Sequence, residues 1–314
     1  MDYFANKKIL LTGGAGFLGQ YVYEQLIIEG AKKENIIIPR SKTNDLRVLA
    51  NVKKLVDKKD IIIHLAGLVG GIGFNKKNPG KMIYENLLMG LYLFEQARLA
   101  GIKKFVTVGT VCCYPKFTPI PFKEEDLWNG YPEETNAPYG MAKKMLLVMS
   151  QAYRQQYSFN SILLIPTNLY GPGDKFDPET SHVIPALIRK IDLAKKHHLK
   201  SIEVWGTGKP TREFLYVEDC AKAIVLATAK YNKPEPLNIG VGLEISIKEL
   251  VYKIAKFMDF NGKIVWDKTK PDGQPKRYLD TSKAYKEFGF KAETNFEIGL
   301  RKTINWYSKN YKYD

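Results

Sequence analysis

Thr12-Gly13-Gly14-Ala15-Gly16-Phe17-Leu18-Gly19 is the segment that most restricts what this chain can fold into. It follows an apolar run, Lys8–Thr12, and opens a helical stretch, Gly16–Glu29. Glycines at this spacing between a strand and a helix mark the phosphate turn of a dinucleotide-binding βαβ unit. Gly13 permits the tight turn, Gly16 lets backbone approach a pyrophosphate, and Gly19 lets the helix pack close to the sheet. Phe17 and Leu18 stand in the helix's first turn, where free amides and the positive dipole end favour phosphate. The pattern continues with strands expected at Asn35–Pro39, Asp60–Ala66, Lys104–Gly109 and Asn160–Pro166. Helices are expected over Met82–Ala100 and Tyr139–Tyr157. Strands without internal polar alternation, each followed by a helix, predict an α/β fold: a Rossmann-type doubly wound parallel sheet.

The texture changes after Pro166. Asn168–Pro185 and Trp205–Glu213 are rich in Gly, Pro and polar residues, and Ser246-Ile-Lys-Glu249 reads as a capping box opening a helix near Ile247–Met258. The expected division is a nucleotide-binding domain over 1–168, with a return segment near 214–240. A smaller, discontinuous α/β substrate domain occupies most of 169–314.

The end of the second strand selects the cofactor. A carboxylate there would bind a ribose 2′-hydroxyl, whereas arginine accommodates a 2′-phosphate. The chain has Pro39-Arg40-Ser41 and no carboxylate before Asp45, so Arg40 argues for NADP(H). Tyr139-Gly-Met-Ala-Lys143 then supplies a proton-delivery pair, because positions four apart share a helix face. The same Tyr-x-x-x-Lys spacing recurs at Tyr3/Lys7 and Tyr252/Lys256, but only the 139 copy lies in the nucleotide-binding context. The ammonium of Lys143 is expected to lower the phenol pKa from about 10 toward working pH. Thr110, just past the fourth strand, falls at the ligand crevice and can bond the oxygen that Tyr139 protonates.

These features resemble the extended branch of the short-chain dehydrogenase/reductase superfamily and, within it, the GDP-L-fucose synthase family. The resemblance covers nearly the whole chain. It is carried by Val69-Gly70-Gly71-Ile72, Cys112-Cys113-Tyr114-Pro115-Lys116, Glu133–Tyr139, Pro166–Pro172, Ser181–Leu187, Val204-Trp205-Gly206, Arg212-Glu213-Phe214 and Lys270-Pro271-Asp272-Gly273. It implies 3,5-epimerisation and then 4-keto reduction of a GDP-4-keto-6-deoxymannose. Thr110, Tyr139 and Lys143 would serve the reduction; Cys112 and His182 would serve the epimerisation. Ala66, Lys143, Pro166, Asn168, Leu169 and His182 would join the glycine loop and Arg40 around the cofactor. Asn168, Lys190, Trp205, Arg212 and Asp280 would line the GDP-sugar site. Three departures stand out. Thr110 replaces the usual serine, Lys190 replaces a frequent arginine, and Thr110-Val111-Cys112-Cys113-Tyr114-Pro115 replaces Ser-Ser-Cys-Ile-Tyr-Pro. The alternatives are a 4-keto reductase of another GDP-4-keto sugar (heptose or dideoxy sugar) with little or no epimerase activity, and a non-catalytic NADP-binding scaffold.

Composition narrows the setting. The net charge of +15 comes from scattered lysines without a long basic block, so nucleic acid is not an expected partner. No apolar run approaches the roughly 18–20 residues of a membrane span. The three cysteines make no disulfide framework, and with no basic-then-apolar leader the expected location is cytoplasmic. Clustered metal-ligand spacing is absent, so no metal is expected. The resemblance implies a homodimer through Met82–Ala100 and Tyr139–Tyr157.

Overall fold

A computed structural model describes residues 3–178, 180–270 and 272–311; Pro271 of the Lys270–Gly273 motif lies outside them. The first half runs β1 (Ile9–Thr12), α1 (Phe17–Ile28), β2 (Ile36–Ile37), α2 (Leu49–Val56), β3 (Ile61–His64), α3 (Ile72–Lys77), α4 (Pro79–Leu99), β4 (Lys104–Val108), α5 (Ala137–Tyr157) and β5 (Ser161–Pro166). The second half runs β6 (Asn168–Tyr170), α6 (Val183–Lys196), β7 (Ser201–Trp205), β8 (Thr211–Arg212), β9 (Phe214–Tyr216), α7 (Val217–Lys230), β10 (Leu237–Ile239), β11 (Ile245–Ser246), α8 (Ile247–Phe257), β12 (Lys263–Asp267), α9 (Ser282–Phe288) and α10 (Phe296–Asn310).

Six parallel strands form the main sheet in the order β10-β5-β4-β3-β1-β2. β1, β3, β4 and β5 are buried along their whole length, as strands covered on both faces must be. α1 and α7 pack together, with Val22, Leu26 and Ile224 feeding one core, while α4 and α5 pack together around a second containing Phe94, Phe105 and Leu146. Strand order reverses between β1 and β3, so a crevice opens at their carboxyl ends.

Element ends differ from the sequence reading for local reasons. β2 pairs only at Ile36–Ile37, between the 3₁₀ turn Lys33–Asn35 and Pro39, which has no N–H for a ladder. α4 starts at Pro79 rather than Met82, because proline fits the first turn, where its missing N–H has no partner to lose. α5 starts at Ala137, again with proline in its first turn. The short α2 has no counterpart among the expected helices; its Val52, Leu55 and Val56 are buried in the core beneath α4. The Ser246 capping box forms in both directions, with Glu249 N donating to Ser246 Oγ and Ser246 N to Glu249 Oε2, each at 3.1 Å.

A separate core lies in the second half, built from Ile184, Ile188 and Ile191 of α6, Leu250 and Ile254 of α8, and Leu300 and Ile304 of α10. β7 pairs with β12, β6 with β9 and β8 with β11. One side chain ties these pieces to the sheet. Glu213, 0% exposed, accepts from Val241 N (2.5 Å) and Gly242 N (2.7 Å) on Oε1 and from Leu279 N (2.9 Å) on Oε2. Its backbone carbonyl accepts from Asn168 Nδ2 at 2.9 Å and Thr167 Oγ1 at 3.4 Å, and its N–H donates to Arg277 O at 3.3 Å. Burial pushes the Glu213 carboxyl up, against three backbone N–H groups that pull it down. Among the described residues no helix is long and apolar enough to cross a membrane.

Glu213→Ala would leave three backbone donors without their acceptor. At about 1–3 kcal/mol for each buried unsatisfied group, we expect roughly 3 kcal/mol or more of lost stability. Urea unfolding followed by far-UV circular dichroism measures it. A loss below about 0.5 kcal/mol would remove Glu213 from its role in joining the segments.

Candidate active site

The glycine loop closes through Gly16 N donating to Gly13 O at 2.9 Å. Gly13 has φ +72°, and a Cβ there would stand 2.7 Å from Ala66 N, so Ala66 at the end of β3 borders the loop. Thr12 Oγ1 holds this junction, bonding His64 Nδ1 at 2.8 Å and accepting from Ala66 N at 3.3 Å. A Cβ at 19 would sit 2.1 Å from Gly13 O. Gly19 therefore serves the contact between α1 and the loop itself, rather than a contact with the sheet. Gly16, Phe17 and Leu18 leave the first amides of α1 without side-chain caps, as an anion site at a helix N-terminus requires.

Arg40 is exposed beyond β2, and its guanidinium has no partner among the described residues. Asp45, the nearest following carboxylate, is engaged by Arg47 at 2.7 Å. A 2′-phosphate would meet a free cation at this corner and no competing free anion. Pro166 ends β5, and Asn168 and Leu169 begin β6, on the far side of the crevice.

Lys143 is 3% exposed and without a hydrogen-bond partner among the described residues. A Cβ at Gly67 would lie 3.7 Å from its Nζ, which places the ammonium beside the chain leaving β3. Burial lowers its pKa to about 8, with Cys113 acting in the opposite direction. His64 is held well below an ordinary histidine by burial first and the Lys143 charge second, so it is a neutral, hydrogen-bonded core residue. An unpaired buried cation at the mouth of β3 is the feature a bound ribose and nicotinamide would satisfy.

The expected lowering of Tyr139 by Lys143 is not what the structure holds. Burial raises the phenol pKa, and Cys112 and Cys113 raise it further. A helix spacing of four puts two side chains on one face, but Lys143 is directed to the chain leaving β3 and is not among the influences on the phenol, of which desolvation is the largest. Tyr139 therefore keeps its proton, as a group acting as an acid must. It is positioned by an unusually close contact: a Cβ at Gly140 would come within 2.2 Å of Cys112 O. α5 thus lies on the 3₁₀ turn Val111–Cys113, whose N-terminus Thr110 caps by accepting from Cys112 N at 3.2 Å. Thr110 and Tyr139 are thereby both joined to Cys112, the first by the hydrogen bond from Cys112 N and the second by the influence of Cys112 on its phenol. Cys113 faces the other way, donating to Gly140 O at 3.3 Å, and burial pushes its thiol up to about 12. It is structural, as is the buried Cys220.

On the substrate side, Arg277 Nη2 lies 3.7 Å from Cys112 Sγ and 3.4 Å from Asn168 Oδ1. His182, at the N-terminus of α6, is exposed to solvent on one side yet closely crowded by protein. Desolvation first, then the charges of Lys175 and Arg277, lower its pKa. Arg212 is lowered to about 10 by burial and by Arg277, with Asp272 opposing; its Nη1 donates to Thr211 O and Gln274 O, each at 2.7 Å. Trp205 is 65% exposed, so it is not core, and Lys270 Nζ stands 5.7 Å from its ring centroid. Lys190 donates to Glu203 O of β7 at 2.7 Å. Asp280 is turned to Ser282, whose N–H and hydroxyl it accepts at 2.9 and 2.5 Å; no described contact joins it to the Cys112 corner. Among the described residues no group of three or more His, Cys, Asp or Glu could hold a metal.

Arg277 is the site residue that sequence reasoning missed. It lies between two motif positions, Gly273 and Asp280, in a Lys276-Arg277 pair that looks like any solvated basic pair. Its partner Cys112 is 165 positions away.

The chain matches the model of the NAD dependent epimerase/dehydratase family over residues 9–240. It is 41% identical to a GDP-L-fucose synthase of Sinorhizobium fredii over 306 residues, covering 97% of this chain and 96% of that protein. Among solved structures it resembles a GDP-6-OMe-4-keto-L-xylo-heptose reductase from C. jejuni with a TM-score of 0.91, at 29% identity and with 98% and 99% of the two chains covered. It also resembles a GDP-L-fucose synthetase from Naegleria fowleri bound to NADP, with a TM-score of 0.87 at 30% identity, covering 98% and 95%. Because the matched span begins at the first residue of β1 and ends just past β10, it takes in all six strands of the main sheet, and the chain belongs to the NAD dependent epimerase/dehydratase family.

Proposed function

We propose that this protein is an NADPH-dependent enzyme that converts GDP-4-keto-6-deoxymannose to GDP-L-fucose, first inverting C3 and C5 and then reducing C4. The observation that carries the reading is that Cys112 links the two sets of proton-transfer groups: it acts on the Tyr139 phenol, its N–H donates to Thr110 Oγ1, and Arg277, 3.7 Å from its sulfur, also acts on His182. Full-length kinship with the Sinorhizobium fredii enzyme supports the substrate, and the NADP-bound Naegleria fowleri structure supports the cofactor.

The C4 ketone acidifies the hydrogens at C3 and C5. Cys112 removes a proton from one face, and His182, in its protonated form, returns one to the other. NADPH, when bound, supplies the hydride that reduces C4. Tyr139, kept protonated by burial, donates its proton to O4, and Thr110 bonds the same oxygen. Lys143 would bond the ribose, while Arg40 would take the 2′-phosphate. Ala66, Pro166 and Leu169 would border the nicotinamide half. Asn168, Lys190, Trp205, Arg212 and Asp280 would line the sugar nucleotide, with Asp280 reaching it only by releasing Ser282. Residues 1–168 with the return segment 214–240 would hold the cofactor, and most of 169–314 the substrate; the separate hydrophobic core of the second half supports this division. Three free cysteines agree with a cytoplasmic setting.

A second reading, a 4-keto reductase of a GDP-heptose without epimerase activity, draws support from the C. jejuni reductase and from Val111 and Cys113 beside the base. Incubation of GDP-4-keto-6-deoxymannose and NADPH in deuterated water separates the two. We expect NADPH consumption with deuterium at both C3 and C5 of the product by NMR. NADPH consumption without deuterium would establish the reductase reading, and no NADPH consumption with any GDP-4-keto sugar would leave a scaffold.

We also propose a homodimer through α4 and α5. Tyr84 and Leu91, seven apart on α4, and Met145 and Val148, three apart on α5, are exposed apolar residues at helical spacing. Sedimentation at micromolar concentration should give twice the 35.8 kDa chain mass, and Leu91→Lys with Val148→Lys should give the monomer. A monomer from the unmodified chain would contradict the proposal.

A further inference from the structure

The geometry points to Arg277 as a positioning residue that holds Cys112 in its thiolate form, ready to take a proton from the substrate. The inference rests on the reading of Cys112 as the base. A free thiol is only slightly ionised at neutral pH and needs a cation, a helix N-terminus or an imidazolium to become a competent base. Arg277 supplies that cation, with Nη2 3.7 Å from Cys112 Sγ.

Three observations make this more than a chance approach. The guanidinium is not neutralised: its hydrogen-bond acceptors are the sulfur and two amide oxygens, Asn168 Oδ1 and Gln274 Oε1, each of the latter at 3.4 Å. No carboxylate lies within ion-pair reach of it among the described residues. Its backbone is also fixed, because Glu213 N donates to Arg277 O at 3.3 Å and Leu279 N donates to the Glu213 carboxylate at 2.9 Å. Finally, Arg277 is the cation that faces the sulfur. The other titratable groups nearby are Tyr139 and Lys143 from α5 and the neighbouring Cys113; burial keeps the phenol and the Cys113 thiol neutral at working pH, and Lys143 and Lys144 act on Cys113. Thr110 and Asn168 offer only neutral oxygens to this corner, while His182 and Arg212 feel Arg277 from its other sides.

The balance of the step is simple. The C3–H or C5–H bond breaks, its electron pair enters the enolate of the C4 ketone, and the proton joins Cys112 sulfur. Protonation from His182 on the opposite face closes the inversion. Arg277 exchanges no proton; it stabilises the charge on sulfur before transfer.

The test is alkylation of the free protein by iodoacetamide between about pH 6 and pH 10, read by mass spectrometry at Cys112. Cys113 and Cys220 are buried and serve as internal controls, with Cys112→Ser as the blank. We expect Arg277→Met and Arg277→Gln to slow Cys112 alkylation at pH 7 about tenfold, the fold-change of one unit in thiol ionisation. The gap should close near pH 10, and Arg277→Lys should recover most of the rate. Should neither neutral variant fold, the unmodified protein decides: Cys112 should reach its plateau rate at lower pH than N-acetylcysteine in the same tube. Equal rates at pH 7 for folded neutral variants would overturn the inference. So would a gap that persists at pH 10, which would mean altered access, or an unchanged rate with a raised KM for the GDP-sugar, which would make Arg277 a substrate contact instead. Alkylation needs no substrate, so its outcome is independent of whether C3 and C5 exchange deuterium.

Discussion

The site depends on how closely α5 lies on the turn after β4. With glycine at 140, helix backbone reaches the Cys112 carbonyl to a depth at which any Cβ would collide, at 2.2 Å. Beside that contact the Thr110 hydroxyl accepts from Cys112 N, and Cys112 acts on the Tyr139 phenol. Desolvation is the largest influence on the phenol's pKa. Burial of the phenol keeps it protonated.

The substrate side is assembled by a different interaction. Glu213 gathers chain from β6, the turn after β10 and the strap carrying Arg277 and Leu279, and it does so mainly with backbone donors. A buried carboxylate is expensive unless its oxygens are satisfied, and three N–H groups meet that need. Because the donors are backbone, the bonds fix where the chain runs rather than which side chains it carries. Arg277 then reaches both Cys112 Sγ and Asn168 Oδ1. Reduction and epimerisation chemistry thus draw on separate supports that meet at Cys112.

Much of the first half is legible in the sequence because its signals are local. Uninterrupted apolar runs such as Ile61–His64 mark buried parallel strands, and Gly13, Gly16 and Gly19 mark a turn whose backbone demands are strict. The capping box at Ser246 is legible for the same reason. What is not legible depends on distance or dielectric. Arg277 reads as a surface cation until the fold brings it to Cys112. α2 is too short and too lysine-rich to announce itself. The state of Tyr139 beside Lys143 escapes the sequence because spacing along a helix gives a shared face but says nothing about burial. Lys143 instead addresses the end of β3, near Gly67 and His64.

The central claim is that the Tyr139 phenol completes the reduction of a carbonyl next to a bound nicotinamide. Paired measurements on Tyr139→Phe test it most directly: NADPH affinity by fluorescence titration, and single-turnover NADPH oxidation with a GDP-4-keto sugar. Loss of the phenol hydroxyl should leave affinity within about threefold while the oxidation rate falls by about 10²-fold or more, the usual contribution of a positioned acid. A variant that binds NADPH and oxidises it at the parent rate would show that the proton reaches O4 from another group, and Tyr139 would lose its role as the acid.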